Sequence, residues 1–282
     1  MDLVGVDELR AVFLDESRTP GRIQRSVQEI RGRAPMILKE EVAVDLATPT
    51  GPMRTHMFRP AAEGKYPAVV LFSEIFQVTG PIRRFAAFIA GHGHIVAVPE
   101  VYHELEPAGT VLAYDQAGSD KGNADKYAKP VSAYDSDARA LLDHLKALDD
   151  CTGRLGAIGI CMGGHLAFRA AMNADVLATV CFYATDIHSH SLGLGKQDDS
   201  LLRARDIKGE LLHIWGRQDP HVPLAGRDLI KARLEEVGAN FQWLEVNGAH
   251  AFMRDEGYRY DPELAALCLN MALALLHRKL AL

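Results

Sequence analysis

IGICMGGH, residues 158–165, sets a thiol between glycines where an apolar run, RLGAIGI (154–160), gives way to a helical pattern from about Met162. Strand, G-x-C-x-G, helix is the pattern of a nucleophile elbow, with Cys161 in the place that more often holds serine. The spacing has a physical basis. An elbow forces its central residue into a strained backbone conformation, and side chains at the flanking positions would collide with the neighbouring strand and helix. A helix starting at Met162 points its amide dipoles at the sulfur, which favours thiolate over thiol. A free thiol with a pKa of about 8.5 is only a few per cent ionised at neutral pH, so a nucleophile here also needs a base. The plainer reading of Cys161 is a core thiol, which is how Cys151, Cys181 and Cys268 read.

Outward from the elbow, strands and helices alternate. YPAVVLF (66–72) reads as a buried strand, followed by a helix from about Pro81 to Ala90 and a further strand, HIVAVPE (94–100). Upstream, EEVAVDLATP and MRTHMFRP read as an antiparallel hairpin joined across TPTGP. DSDARALLDHLKAL (135–148) is an amphipathic helix with Leu141, Leu142, Leu145 and Leu148 on one side. LATVCFY, GELLHIWG and FQWLEV are three more strands, with helices near 224–237 and 262–279. Residues 102–130 are polar, show little periodicity and read as a loop. This alternation predicts a mainly parallel twisted sheet with helices on both faces and ligands at the carboxyl ends of the strands. Residues 1–38, with VDELRAVFLDE and PGRIQRSVQEIRGR as two short helices, read as an N-terminal helical extension, and residues 39–282 as one α/β domain.

Composition narrows the function classes. Of 282 residues, 48% are hydrophobic and 24% charged, as in ordinary globular proteins, and the net charge of −6 disfavours nucleic acid as a partner. No apolar run reaches the roughly 20 residues of a membrane helix. Early acids in MDLVGVDELRAVFLDESR argue against a signal peptide, so a cytoplasmic protein is expected. The four cysteines form no CxxC pair or regular spacing, which indicates neither a disulfide framework nor a zinc knuckle. HSH (188–190) and GHGH (91–94) have too few companions to define a metal site, and no cofactor is expected.

Three segments that follow strands carry candidate chemistry. Cys161 follows RLGAIGI, Asp219 follows LLHIWG and His250 follows FQWLEVN, so all three are expected at the same sheet edge, in the chain order nucleophile, acid, histidine. Asp206 and Asp228 compete for the acid role, but only Asp219 lies immediately after a strand; its plain reading is a turn residue before Pro220. His250 could be a surface-loop histidine, and His221 reads as a loop neighbour. Glu74 ends a buried strand at the same edge, where a carboxylate is costly without a partner or a role. Arg83 and Arg84, at the start of the next helix, read as structural.

From about residue 40 onward the chain resembles the dienelactone hydrolase family. The resemblance rests on SEIFQVTGPIRRFAAFIAGHGHIVAVPEVY (73–102), GICMGG (159–164), GRQDPHVP (216–223) and GAHAFMR (248–254). It implies an α/β-hydrolase fold and cofactor-free hydrolysis of small esters or lactones through an acyl-thioester. It further implies a triad of Cys161, Asp219 and His250. Glu74 would hold the resting thiol and help it ionise, Ile75 and Met162 would supply oxyanion-hole amides, and Arg254 would contact a substrate carboxylate. One departure concerns the substrate. Members that hydrolyse dienelactone also use an arginine from the loop after the second crossover. Here no arginine lies between Arg84 and Arg139, only Lys121, Lys126 and Lys129, and lysine lacks bidentate geometry. A general carboxylesterase or thioesterase of the same fold is therefore the alternative. A noncatalytic thiol sensor or binding module is the rival of another class, although sensing requires no oxyanion loop. A monomer or homodimer is expected, with no nucleic-acid or membrane partner.

Overall fold

A computed structural model describes residues 37–281, so the two short helices expected within residues 1–38 lie outside the described residues. Strands β1 (Val42–Thr48), β2 (Gly51–Phe58), β3 (Tyr66–Phe72), β4 (Ile95–Pro99), β5 (Cys151–Ile160), β6 (Val176–Phe182), β7 (Glu210–Gly216) and β8 (Phe241–Val246) form one sheet in the order β1-β2-β4-β3-β5-β6-β7-β8. The β1–β2 hairpin is antiparallel and closes tightly at Thr48 and Gly51; β2 also runs antiparallel to β4. Every other neighbouring pair is parallel. Every residue of β4 and β7 is buried, and burial on both faces explains why these strands read as continuous apolar runs.

Helices cover both faces, as the alternation predicts. They are α1 (Gly80–Gly91), α2 (Gln116–Ala128), α3 (Val131–Ala147), α4 (Met162–Ala170), the short α5 (Ser200–Arg203), α6 (Leu224–Glu236) and α7 (Pro262–Leu280). Period-two alternation along β3 sorts the two cores. Ala68, Val70 and Phe72 pack with Leu141, Leu145 and Leu166 of α3 and α4. Val69 and Leu71 point the other way, toward Ile82 and Ile89 of α1 and Leu275 and Leu276 of α7. Among the described residues no helix is long and apolar enough to cross a membrane.

Helix α2 lies inside the polar stretch that the sequence presents as a loop. Asp115 caps it, its carboxylate accepting from the Gly118 amide at 2.8 Å. The apolar stripe that would have revealed it is missing because close packing here is made by glycine. A Cβ on Gly118 would lie 2.0 Å from the Ala113 carbonyl oxygen, and one on Gly122 would lie 2.4 Å from that of Ile75. The Tyr102 hydroxyl donates to the Gly122 carbonyl at 3.0 Å and lies 3.3 Å from Met162 Sδ, tying α2 to the start of α4.

Helix propensity alone makes Gly122→Ala stabilising by about 0.5–1 kcal/mol. The contact with Ile75 reverses the sign, and the variant is expected to lose about 1–3 kcal/mol. Urea unfolding of the two proteins checks this, and an alanine variant as stable as wild type would show that α2 can back away from Ile75.

Candidate active site

Parallel strands bring their carboxyl ends to one edge, and the candidate residues follow from that. Glu74 lies just after β3, Cys161 after β5, Thr185 and Asp186 after β6, Asp219 after β7 and His250 after β8. Cys161 has φ 59° and ψ −123°, a left-handed conformation that costs a non-glycine residue on the order of 1–3 kcal/mol. Three backbone bonds hold it there. Its amide donates to the Phe182 carbonyl at 3.0 Å, and its carbonyl accepts from Gly164 at 3.0 Å and Thr185 at 3.2 Å. Both flanking glycines are obligatory by contact: a Cβ on Gly159 would lie 1.8 Å from the Gly163 carbonyl oxygen, and one on Gly163 would lie 2.2 Å from that of Phe72. Of the four cysteines, Cys161 alone is partly exposed.

His250 and Asp219 are both buried and joined by a 2.7 Å bond from Nδ1 to Oδ2. The other Asp219 oxygen accepts the His221 amide at 2.8 Å, so the carboxylate is held at both ends. Burial alone would lower the His250 pKa, but the neighbouring Cys161 sulfur and the bond to Asp219 push it up to about 10. At neutral pH the ring is therefore an imidazolium, donating from Nδ1 to Asp219 and keeping Nε2–H for the sulfur side. The ring of His221 sits edge-on to that of His250, 4.5 Å away, as a loop neighbour. Asp219, His221 and His250 could each place one ligand atom within 4.8 Å of the others. A metal would require His250 to shed the proton that Asp219 stabilises, so the donor set fits an acid–base pair better than a cation.

Glu74 is buried too, and burial raises its pKa against the opposing charges of Arg254 and His250. Its Oε2 accepts from the Tyr114 hydroxyl at 3.2 Å, and its Oε1 lies 4.0 Å from Arg254 Nη1. The Arg254 guanidinium rests on the Tyr114 ring, 4.1 Å from the centroid. Ile75 follows Glu74 directly. Met162 opens α4, so its amide is among those that a helix leaves without an internal partner. A cavity of about 340 Å³ lies against Cys161, His250, Glu74, Ile75 and Arg254, room for a small molecule.

Of the three lysines in the polar stretch, only Lys126 lines this cavity, and its Nζ is 3.0 Å from Asp186. Lys129 is buried against Glu104 and Asp137, and Lys121 pairs with Glu106 and Asp125. Arg83 and Arg84 make ion pairs with Glu41 and with Asp255 and Glu256, as their structural reading anticipates. Sequence reasoning missed Tyr114, Asp186 and Arg259. Asp186 did carry a signal, since it follows a strand at the reactive edge as Asp219 does; Tyr114 lies in the unpatterned stretch and carried none.

The family model described as "Dienelactone hydrolase family" matches residues 53–280. A Saccharomyces cerevisiae protein named "Putative carboxymethylenebutenolidase" is 42% identical over 239 residues, 81% of this chain and 87% of that one. The "Carboxymethylenebutenolidase" of Pseudomonas putida is 28% identical over 210 residues, 73% and 83% of the two chains. The crystal structure titled "Putative Dienelactone Hydrolase" from Klebsiella pneumoniae superposes with a TM-score of 0.75 at 22% identity, covering 84% of this chain and 98% of that one. That likeness speaks to the fold, an α/β-hydrolase sheet with its flanking helices.

The raised His250 pKa has a specific source in Cys161. Cys161→Ala removes the sulfur that helps to hold the proton, so the imidazole pKa should fall below about 10. Nitrogen NMR of the histidine side chains across pH 5–11 checks this; an unchanged His250 titration would mean that Asp219 alone sets it.

Proposed function

The chain belongs to the dienelactone hydrolase family, and from that premise we propose that it is a cysteine-dependent hydrolase of small esters or lactones working through an acyl-thioester. One observation carries the reading: a strained, glycine-flanked Cys161 is the partly exposed thiol, and it faces a cavity beside a buried His250–Asp219 pair. The thiolate of Cys161 attacks the substrate carbonyl carbon, and the carbonyl electron pair moves onto oxygen. The amides of Ile75 and Met162 stabilise that oxyanion. As the carbon–oxygen bond breaks, His250 passes its proton to the departing alkoxide, leaving an acyl group on sulfur. Neutral His250 then takes a proton from water, the hydroxide attacks the thioester, and the thiolate leaves with His250 again protonated. Asp219 keeps the ring oriented and favours its charged form throughout. Glu74, a buried carboxylate with a raised pKa, serves the resting thiol as a nearby proton acceptor. Arg254 lines the same cavity and can meet a substrate carboxylate, although Glu74 shares its charge.

A general carboxylesterase or thioesterase of the same fold is the second reading. It is favoured by the absence of arginine from residues 102–130 and by the pairing of Lys126 with Asp186, which leaves that wall without a free bidentate cation.

With p-nitrophenyl acetate, Cys161→Ala is expected to lose about a thousandfold or more in kcat, while Cys151→Ala and Cys268→Ala alter mainly stability. Cys161→Ser should also be poor, because the site favours a thiolate and a hydroxyl is far harder to ionise. Inactivation by iodoacetamide with the label on any other cysteine would sink the assignment.

Glu74→Gln is expected to slow both Cys161 alkylation and ester turnover while the protein stays folded by circular dichroism. Rates equal to wild type in both assays would remove Glu74 from the mechanism.

A further inference from the structure

Three lysine or arginine side chains line the cavity, Lys126, Arg254 and Arg259, and their surroundings differ. Lys126 is 3.0 Å from Asp186 and Arg254 is 4.0 Å from Glu74, so the charge of each is largely spent inside the protein. Arg259 makes no ion pair among the described residues. The acids nearest to it in the chain are engaged elsewhere. Arg84 on α1 grips Asp255 through two bonds of 2.6 and 2.8 Å and reaches Glu256 at 3.1 Å. Asp261 caps α7, accepting from the Leu264 amide at 3.0 Å.

The segment that carries Arg259 is also held in shape. The Arg254 amide donates to the Ala251 carbonyl at 3.0 Å, and the Asp261 amide donates to the Phe252 carbonyl at 3.0 Å, closing the loop at its base. Tyr258 is 91% exposed, whereas Arg259 beside it is half-buried and turned to the cavity. Its charge is felt at Glu74 and at His221, both of which it shifts downward in pKa. An unpaired guanidinium on a braced loop beside the reacting thiol is organised for an anion before any ligand arrives.

We propose that Arg259 is a specificity-determining residue, receiving a carboxylate borne by the acyl part of a small ester or lactone. The proposal rests on the hydrolase reading above and adds the group that selects the substrate. Arg254, held between Glu74 and Tyr114, can share the carboxylate, and Arg259, without an ion pair among the described residues, supplies the guanidinium that selects it.

Two esters with the same leaving group test it: p-nitrophenyl acetate, which is neutral, and p-nitrophenyl hydrogen glutarate, which carries a carboxylate. The ratio of their kcat/KM values, glutarate over acetate, is expected to fall about tenfold in Arg259→Gln, mainly through KM for the anionic ester. It should recover largely in Arg259→Lys. Added salt should lower the wild-type ratio and scarcely move that of Arg259→Gln. An unchanged ratio in Arg259→Gln overturns the proposal, as does a ratio lost in Arg254→Gln but kept in Arg259→Gln. If wild type hydrolyses neither ester, the hydrolase reading fails, and the anion site is still read by binding. Glutarate then protects Cys161 from iodoacetamide, at about tenfold higher concentration in Arg259→Gln than in wild type. Equal protection in both proteins overturns the proposal.

Discussion

Cys161 stands in a left-handed backbone conformation because a parallel strand must turn into a helix within one residue and still leave the thiol facing outward. The turn is possible only if β5 and α4 touch backbone to backbone. Gly159 against Gly163, and Gly163 against Phe72, are contacts with no room for a methyl group. The local strain is compensated by the ladder on both sides, since the Cys161 amide is tied to Phe182 on β6 and its carbonyl to Gly164 and Thr185. Everything else at the reactive edge is arranged around that point.

Electrostatics at this edge are governed by burial. Glu74, Asp219, His250 and Lys126 are all nearly removed from water, where an unpaired charge is untenable. Each is therefore matched: Asp219 with His250, Glu74 with Arg254 and the Tyr114 hydroxyl, Lys126 with Asp186. The bond to Asp219 and the nearby Cys161 sulfur together hold the His250 proton, raising its pKa to about 10 despite burial. Pairing also decides which charges remain for a ligand. A cation already satisfied by a carboxylate offers little new attraction, so the half-buried Arg259 matters more than a count of positive residues suggests.

The family relationship and the fold agree. The polar stretch after β4 folds into α2, and its Lys126 turns toward Asp186. The same helix packs through Gly122 on Ile75 and, through Tyr102, on Met162, the two residues assigned to the oxyanion amides. One glycine-faced helix thus supports the Ile75 loop, where the proposed oxyanion amide lies, and lines one wall of the cavity.

Much of this was legible in the amino-acid order alone. Apolar runs of strand length alternating with amphipathic helices specify a parallel sheet, because each strand is buried on both faces and must be covered by the helix that follows it. Residues immediately after strands then share an edge by topology, which located Cys161, Asp219, His250 and Glu74 before any coordinates. Helix α2 was not legible, because its close contacts are made by glycine and leave no periodic apolar signal. The partners of Lys126 and Arg254 were equally hidden. Lys126 and Asp186 are 60 positions apart in the chain, and Glu74 and Arg254 are 180 apart by residue number. Only the folded sheet edge brings such groups within a few ångströms, and the desolvation they share there decides which charges pair.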